Sequence, residues 1–196
     1  MAINRREAIK KAAYFMGGTI SAPAILGVLN GCAPSAKPNW TPSFFTEDQA
    51  LTVMELSEAI FPATDTLGSK DLGIPKFIES MVSTVYKEKD QKLFMDKLAA
   101  FQESVQSDTG DAFHSLTPEQ KNEIAKREND AIAGKSFARF NEDQRPFFWM
   151  MKELTLLGVF TTEYGATQIL QYQLVPAQWE ACVPLSEAGE GRTHAV

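Results

Sequence analysis

The sequence predicts an all-α fold, a small irregular bundle of about five or six helices preceded by a cleavable signal and an extended tether. Three observations predict it. Two capping boxes, Thr46-Glu47-Asp48-Gln49 and Thr117-Pro118-Glu119-Gln120, each open an apolar pattern. Apolar side chains recur at three- and four-residue spacing through most of the chain. Strand signals are confined to Gln173-Leu174-Val175 and Cys182-Val183, with no internal repeat and no low-complexity tract.

Residues 1–31 have the order of an export signal: a basic start, an apolar middle from Ala12 to Leu29, and small residues before a cysteine. Arg5-Arg6 followed by Ile9 and Lys10 resembles the twin-arginine signal, with Asn4 and Ala8 where a hydroxyl residue and Phe are usual. Glycine, proline and hydroxyl residues dilute the apolar middle, which suits that route and argues against a permanent spanning helix. Leu29-Asn30-Gly31-Cys32 resembles a bacterial lipobox, in which Cys32 is acylated and becomes the new N-terminus. An ordinary thiol beside a cleavage site is the alternative reading; two or three acyl chains would give the stable attachment that one chain does not. Residues 32–43, rich in proline and poor in apolar side chains, then read as a lipidated tether.

The helical domain is expected over 44–185. Its first helix follows Thr46 and aligns Val53, Leu56 and Ile60, until Phe61-Pro62 stops it. Pro62 to Pro75 is a long loop whose short hydroxyl and carboxylate side chains can bond their own backbone. Pro75 suits the first turn of a second helix, with Phe77, Met81 and Val85 in one row and Ile78, Val82 and Tyr86 in another. Leu93, Phe94, Leu98, Phe101 and Val105 mark a third, ended by Asp108-Thr109-Gly110-Asp111, and Thr117 caps a more polar fourth. Asn141-Glu142-Asp143 offers a cap for the central helix, whose start Pro146 leaves open by several residues. That helix is apolar nearly all round, through Phe147, Phe148, Trp149, Met150, Met151, Leu154, Leu157 and Phe160, so it is covered on more than one face. Glu163 to Tyr172 can form a short last helix, closed by Pro176, and residues 186–196 read as a disordered tail.

Charge and composition narrow the function. Of 19 Lys+Arg and 25 Asp+Glu, only Arg5, Arg6, Lys10, Lys11 and Glu7 precede Cys32, leaving 15 cationic against 24 anionic side chains, a net of −9, beyond it. Such an acidic body argues against nucleic acid as a partner and gives no electrostatic pull toward an anionic membrane.

Groups for chemistry are sparse. Of the 2 histidines, His194 lies in the tail and His114 sits between Phe113 and Ser115, where a packed or half-exposed side chain is expected. The chain has no His-Glu-x-x-His, no Cys-x-x-Cys-His and no cysteine cluster, so neither catalytic nor metal-ligating residues are assigned. Gly134-Lys135-Ser136 lacks the upstream glycine and preceding strand of a phosphate loop. Thr64, Asp65 and Thr66 form the one loop unusual enough to be a candidate functional site, although turn formation is the better account of them. Cys182 has no partner in the chain once Cys32 is acylated, which means either a buried inert thiol or a bond to another polypeptide. The aromatic stretch is either core filling or an interface, with Phe147, Phe148, Trp149, Trp179 and Cys182 as candidate partner contacts.

Together these pieces resemble the gluconate 2-dehydrogenase subunit 3 family, also called the small or gamma subunit. The resemblance rests on Phe61-Pro62-Ala63-Thr64-Asp65-Thr66 through Gly73-Ile74-Pro75, on the Phe147-Phe148 helix, and on Thr162-Glu163-Tyr164-Gly165 leading to Tyr172, Pro176 and Cys182. Leu67 stands where the family usually has proline, and Ala181 where it usually has glycine. The resemblance implies a non-catalytic partner of a large FAD-dependent dehydrogenase of the glucose-methanol-choline class. It also implies a cytochrome c subunit with haem c, and export of the folded flavoprotein by the twin-arginine translocase. The expected location is the periplasmic face of a membrane, held by the lipid anchor. A stand-alone periplasmic lipoprotein that binds a ligand or partner through the Thr64–Asp71 loop is the rival expectation.

Overall fold

The computed structural model describes residues 37–134, 145–175, 182, 184–186 and 191–195. Arg5, Arg6, Cys32, Trp179 and the Asn141-Glu142-Asp143 cap lie outside the described residues. The compact body begins at Lys37 and is all-α, as its sequence pattern predicts: α1 (Glu47–Ile60), α2 (Ile74–Ser80), α3 (Glu88–Thr109), α4 (Pro118–Ile132) and α5 (Phe147–Thr161). A π turn, Met81–Val85, extends α2, a second, Gly165–Ile169, follows α5, and a 3₁₀ turn, Phe113–Ser115, leads into α4.

Both capping boxes form. The Thr46 hydroxyl accepts the Gln49 N–H at 3.3 Å while the Gln49 side chain accepts the Thr46 N–H at 3.0 Å, and Thr117 and Gln120 repeat the arrangement at the same distances. Gly73 enters α2 at φ 70°, a left-handed conformation that costs glycine little, and Pro75 occupies the first turn. For α5 the cap is Pro146 itself, so the helix starts at Phe147.

α5 is the axis of the body, packing against α1, α2, α3 and α4. Phe147 sits 5.5 Å from Phe94 and 5.3 Å from Phe101, between ring centroids; Phe94 stacks on Phe45 at 6.1 Å, and Phe101 meets Phe113 at 5.4 Å. This aromatic chain ties α3, α5, the 3₁₀ turn and the N-terminal approach into one core. Gly158 lets α2 come close, since a Cβ there would lie 2.8 Å from Phe77 and 3.2 Å from Ile74.

Four expectations change. Ile78 and Val82 are buried as their row predicts, but the π turn winds the end of α2 one residue wider and Val85, expected to align with Phe77 and Met81, is 62% exposed. The last helix begins at Glu163 as expected but is shorter: Glu163 and Tyr164 are helical and run into the π turn Gly165–Ile169, so it ends before Tyr172. Instead of a strand at 173–175, Gln171 pairs with the tail: its N–H donates to the Thr193 carbonyl and its carbonyl accepts the Ala195 N–H, both at 2.8 Å. Residues 192–195 are therefore tied to the body rather than loose, with Arg192 Nη1 donating to the Thr167 carbonyl at 3.1 Å.

Candidate functional site

Where α1 ends, one carboxylate braces the loop that follows. Glu58 accepts the Ala63 N–H on Oε1 at 3.0 Å and the Lys70 N–H on Oε2 at 2.9 Å, so it bridges the two sides of the loop neck. The Ser69 N–H donates to the Phe61 carbonyl at 3.0 Å, and the buried Ser69 hydroxyl donates to Ser57 Oγ at 3.2 Å. Gly68 is the residue that lets this neck close: a Cβ there would lie 2.5 Å from both the Ala63 nitrogen and Glu58 Oε1. Beyond the neck the tip turns on itself through the Thr64 N–H, which donates to the Thr66 carbonyl at 3.0 Å. Thr64 and Asp65 are exposed, Thr66 is half-buried and Leu67 is 42% exposed.

A second turn reaches this tip from the end of α5. The Thr162 hydroxyl donates to the Val159 carbonyl at 2.7 Å and accepts the Gly165 N–H at 3.0 Å. Gly165 has no room for a side chain, because a Cβ would collide with the Val159 carbonyl oxygen. The tight bend so formed aims Tyr164, whose hydroxyl accepts the Leu67 N–H at 3.3 Å. Phe61 and Phe160 meet edge to face at 6.5 Å beneath the same junction. A cleft of about 590 Å³ lies alongside, lined by Asp71, Leu72, Thr162, Tyr164 and Gln168 among others. Two of the three stretches that carry the resemblance thus form one braced surface, polar at Thr64-Asp65-Thr66 and apolar at Leu67.

Two further carboxylates organise the body, and neither is visible from sequence pattern. Glu55 receives Lys70 Nζ at 2.7 Å and Lys121 Nζ at 2.8 Å, joining α1, the loop and α4. Burial pushes its pKa up, but the two ammonium groups outweigh that and hold it below the usual carboxylate value. Glu79, only 4% exposed, gathers the chain that approaches α1. Its Oε1 accepts the N–H groups of Ser43, Phe44 and Phe45 at 2.8, 2.7 and 3.0 Å, and its Oε2 accepts the Trp40 indole N–H at 2.6 Å. Burial again raises the pKa and these four donors more than offset it, leaving Glu79 below the ordinary range. Asn39 Nδ2 adds a bond to the Lys70 carbonyl at 3.1 Å. Residues 39–43, expected to belong to the tether, are therefore fastened to the body.

The candidate contacts divide. Phe147 and Phe148 are 8% and 4% exposed, taken up by the core of this chain and so withdrawn from any partner surface. Trp149 is half-buried, and the free Cys182 is exposed, which removes the buried-thiol reading. What α5 does leave to solvent includes Leu157, 45% exposed. His114 is half-buried, its Nδ1 3.3 Å from Asp48 Oδ1 without the alignment of a hydrogen bond. Among the described residues no group of three His, Cys, Asp or Glu side chains could hold a metal ion, and no helix is long and apolar enough to cross a membrane.

Fold and site define a small all-α domain built around a braced loop. The family model of gluconate 2-dehydrogenase subunit 3 matches residues 47–177, and the chain belongs to that family. Membership makes it an accessory subunit of a dehydrogenase complex, associated with a catalytic subunit. No curated protein and no solved structure matches the chain.

Proposed function

We propose that this chain is the non-catalytic small subunit of a membrane-anchored, periplasm-facing dehydrogenase, which exports and stabilises a flavoprotein subunit acting on a sugar or sugar acid. The family match over 47–177 is the observation that carries the reading. In this scheme the catalytic subunit is of the FAD-dependent glucose-methanol-choline class and passes its electrons to a cytochrome c subunit holding haem c. Arg5 and Arg6 engage the twin-arginine translocase, which accepts folded cargo and so can carry a flavoprotein with its FAD already bound. Acylated Cys32 then attaches the assembly to the membrane. The braced tip at Thr64-Asp65-Thr66 and Leu67, with Leu157 on α5, offers the partner a surface whose shape is set before binding, which lowers the ordering cost of association.

The test is to replace both Arg5 and Arg6 by Lys in the producing bacterium and to follow the flavoprotein that co-purifies with the tagged chain. The expected outcome is a flavoprotein retained in the cytoplasm, recognised by its flavin absorbance. A flavoprotein that still reaches the periplasm in normal amount, or a purified native complex without flavin, overturns the reading.

A further inference from the structure

One charged cleft stands apart from the ion pairs that organise the body. It lies between the end of α1, α4 and α5, has a volume of about 470 Å³, and is lined by Ile60, Pro62, Lys126, Asn129, Phe148 and Lys152 among others. Phe148 is buried and Ile60 half-buried, which makes the floor apolar, while Lys126 and Pro62 stand exposed at the rim. Among the described residues no carboxylate lines it.

Its two ammonium groups lack a counter-charge. Lys70 and Lys121 are both engaged by Glu55, but among the described residues neither Lys126 nor Lys152 makes an ion pair. Lys152 is instead held from α5 to α4, where its Nζ donates to Asn129 Oδ1 at 2.8 Å and so uses one of the three donors an ammonium carries. A neutral amide fixes the place of the charge without neutralising it. Beyond Cys32 the chain has 15 cationic against 24 anionic side chains, so two unneutralised lysines over an apolar floor are a local reversal of sign.

That reversal selects the occupant. A carboxylate is the complement, and a free small anion would stay hydrated at so open a rim, where pairing with lysine yields little. A carboxylate on a protein surface brings its own cover, which expels water from the apolar floor and strengthens the pairing. Family membership supplies the protein, the catalytic subunit. Pro62 adds a fixed position: it lines the cleft and precedes Thr64 of the braced tip by two residues, at most about 7 Å of chain. The cleft therefore borders the tip already assigned to that partner.

We propose that the cleft between α1, α4 and α5 receives an acidic side chain of the catalytic subunit, an Asp or Glu flanked by apolar residues, which pairs with Lys126 and Lys152. The inference rests on the accessory-subunit reading above and adds to it the place and the charge of a contact.

The experiment uses the complex purified through a tag on the full chain. A carbodiimide joins an amine to a carboxylate as an amide with loss of water, and it should link Lys152 or Lys126 to an Asp or Glu of the catalytic subunit, located by mass spectrometry. This measurement needs no variant, so it holds whatever a substitution does to folding. Lys126→Gln combined with Lys152→Gln should raise the Kd between the subunits roughly 10- to 100-fold, the range for losing a charge-assisted contact, with the helical circular dichroism and thermal midpoint unchanged. Lys152→Arg, which keeps the charge, should lose far less, and Lys92→Glu, on an exposed side chain of α3, should leave the Kd as it is. A folded double variant that binds with the parent's affinity overturns the proposal and leaves the accessory-subunit reading standing. Cross-links from both lysines to carboxylates of this chain alone also overturn it, since the cleft would then hold an internal contact. Absence of any catalytic subunit with the unaltered chain removes the reading and the proposal together.

Discussion

The hydroxyl of Tyr164 accepts the backbone N–H of Leu67 at 3.3 Å, joining residues 97 positions apart. Each side of the contact is prepared locally, by the Glu58 brace on the loop and by the Thr162–Gly165 bend after α5. A proline at position 67 would have no N–H to give, so this bond depends on the leucine that stands there.

Tyr164→Phe removes the acceptor and leaves the ring. Because the contact is exposed and long, the loss of global stability should be about 0.5–1 kcal/mol at most. Amide exchange at Leu67 and Thr66 should speed up well beyond what that small loss explains, since the tip would move with its neck still closed. Hydrogen exchange combined with urea denaturation checks both. Unchanged exchange at Leu67 would show that the tyrosine does not hold the tip.

Gly68→Ala tests the neck. A methyl group 2.5 Å from a backbone nitrogen and a carboxylate oxygen cannot be relieved by a rotating side chain alone, so the loop backbone or Glu58 must move. Overpacking of this kind costs about 1–3 kcal/mol. At Gly73 there is open space around the added methyl but φ is +70°, so Gly73→Ala should cost only about 1 kcal/mol of backbone strain. Urea midpoints of the two variants should rank Gly68→Ala as the more damaging.

Much of the architecture is written locally, and the exceptions have physical reasons. The capping boxes at Thr46 and Thr117 depend on residues within one turn, so their signal survives in any fold. The apolar girth of α5 announces a covered helix, and Phe147 and Phe148 indeed lie in the core. Val85 escapes the expected row because one wide turn changes the helical register, which no apolar spacing reveals. Glu79 is invisible for a different reason: its donors lie 34 to 39 positions away, and a glutamate between Ile78 and Ser80 looks like any solvent-facing residue. Thr64-Asp65-Thr66 stands out by composition, but its bracing by Glu58, Gly68 and Tyr164 exists only in three dimensions.

Core and surface on α5 should separate cleanly. Phe147→Ala deletes a ring wedged between Phe94 and Phe101 and should cost about 3–5 kcal/mol. Leu157→Ala, at a side chain 45% exposed, should stay within about 0.5 kcal/mol of the parent. If Leu157 belongs to the partner surface, its variant should keep the parent thermal midpoint and lose co-purifying catalytic subunit. Retention of the full complex by Leu157→Ala would exclude this part of α5 from the interface.

Acid stability follows from Glu55 and Glu79. Both have folded-state pKa values below the ordinary 4.5, so both release protons more readily in the folded chain than in the unfolded one. The unfolded state therefore binds more protons as pH falls, and the stability these groups supply is complete above about 4.5 and disappears as pH drops through their folded values. The urea midpoint should be nearly level from pH 7 to 5 as far as these two groups are concerned, then fall below pH 4.5. Glu79→Gln keeps the side-chain shape and one carbonyl acceptor but loses the charge and faces its donors with an NH₂ group that cannot accept. Its midpoint should begin lower at pH 7 and fall less steeply below pH 4.5 than that of the parent. A slope identical to the parent's would show that this carboxylate contributes nothing to acid unfolding.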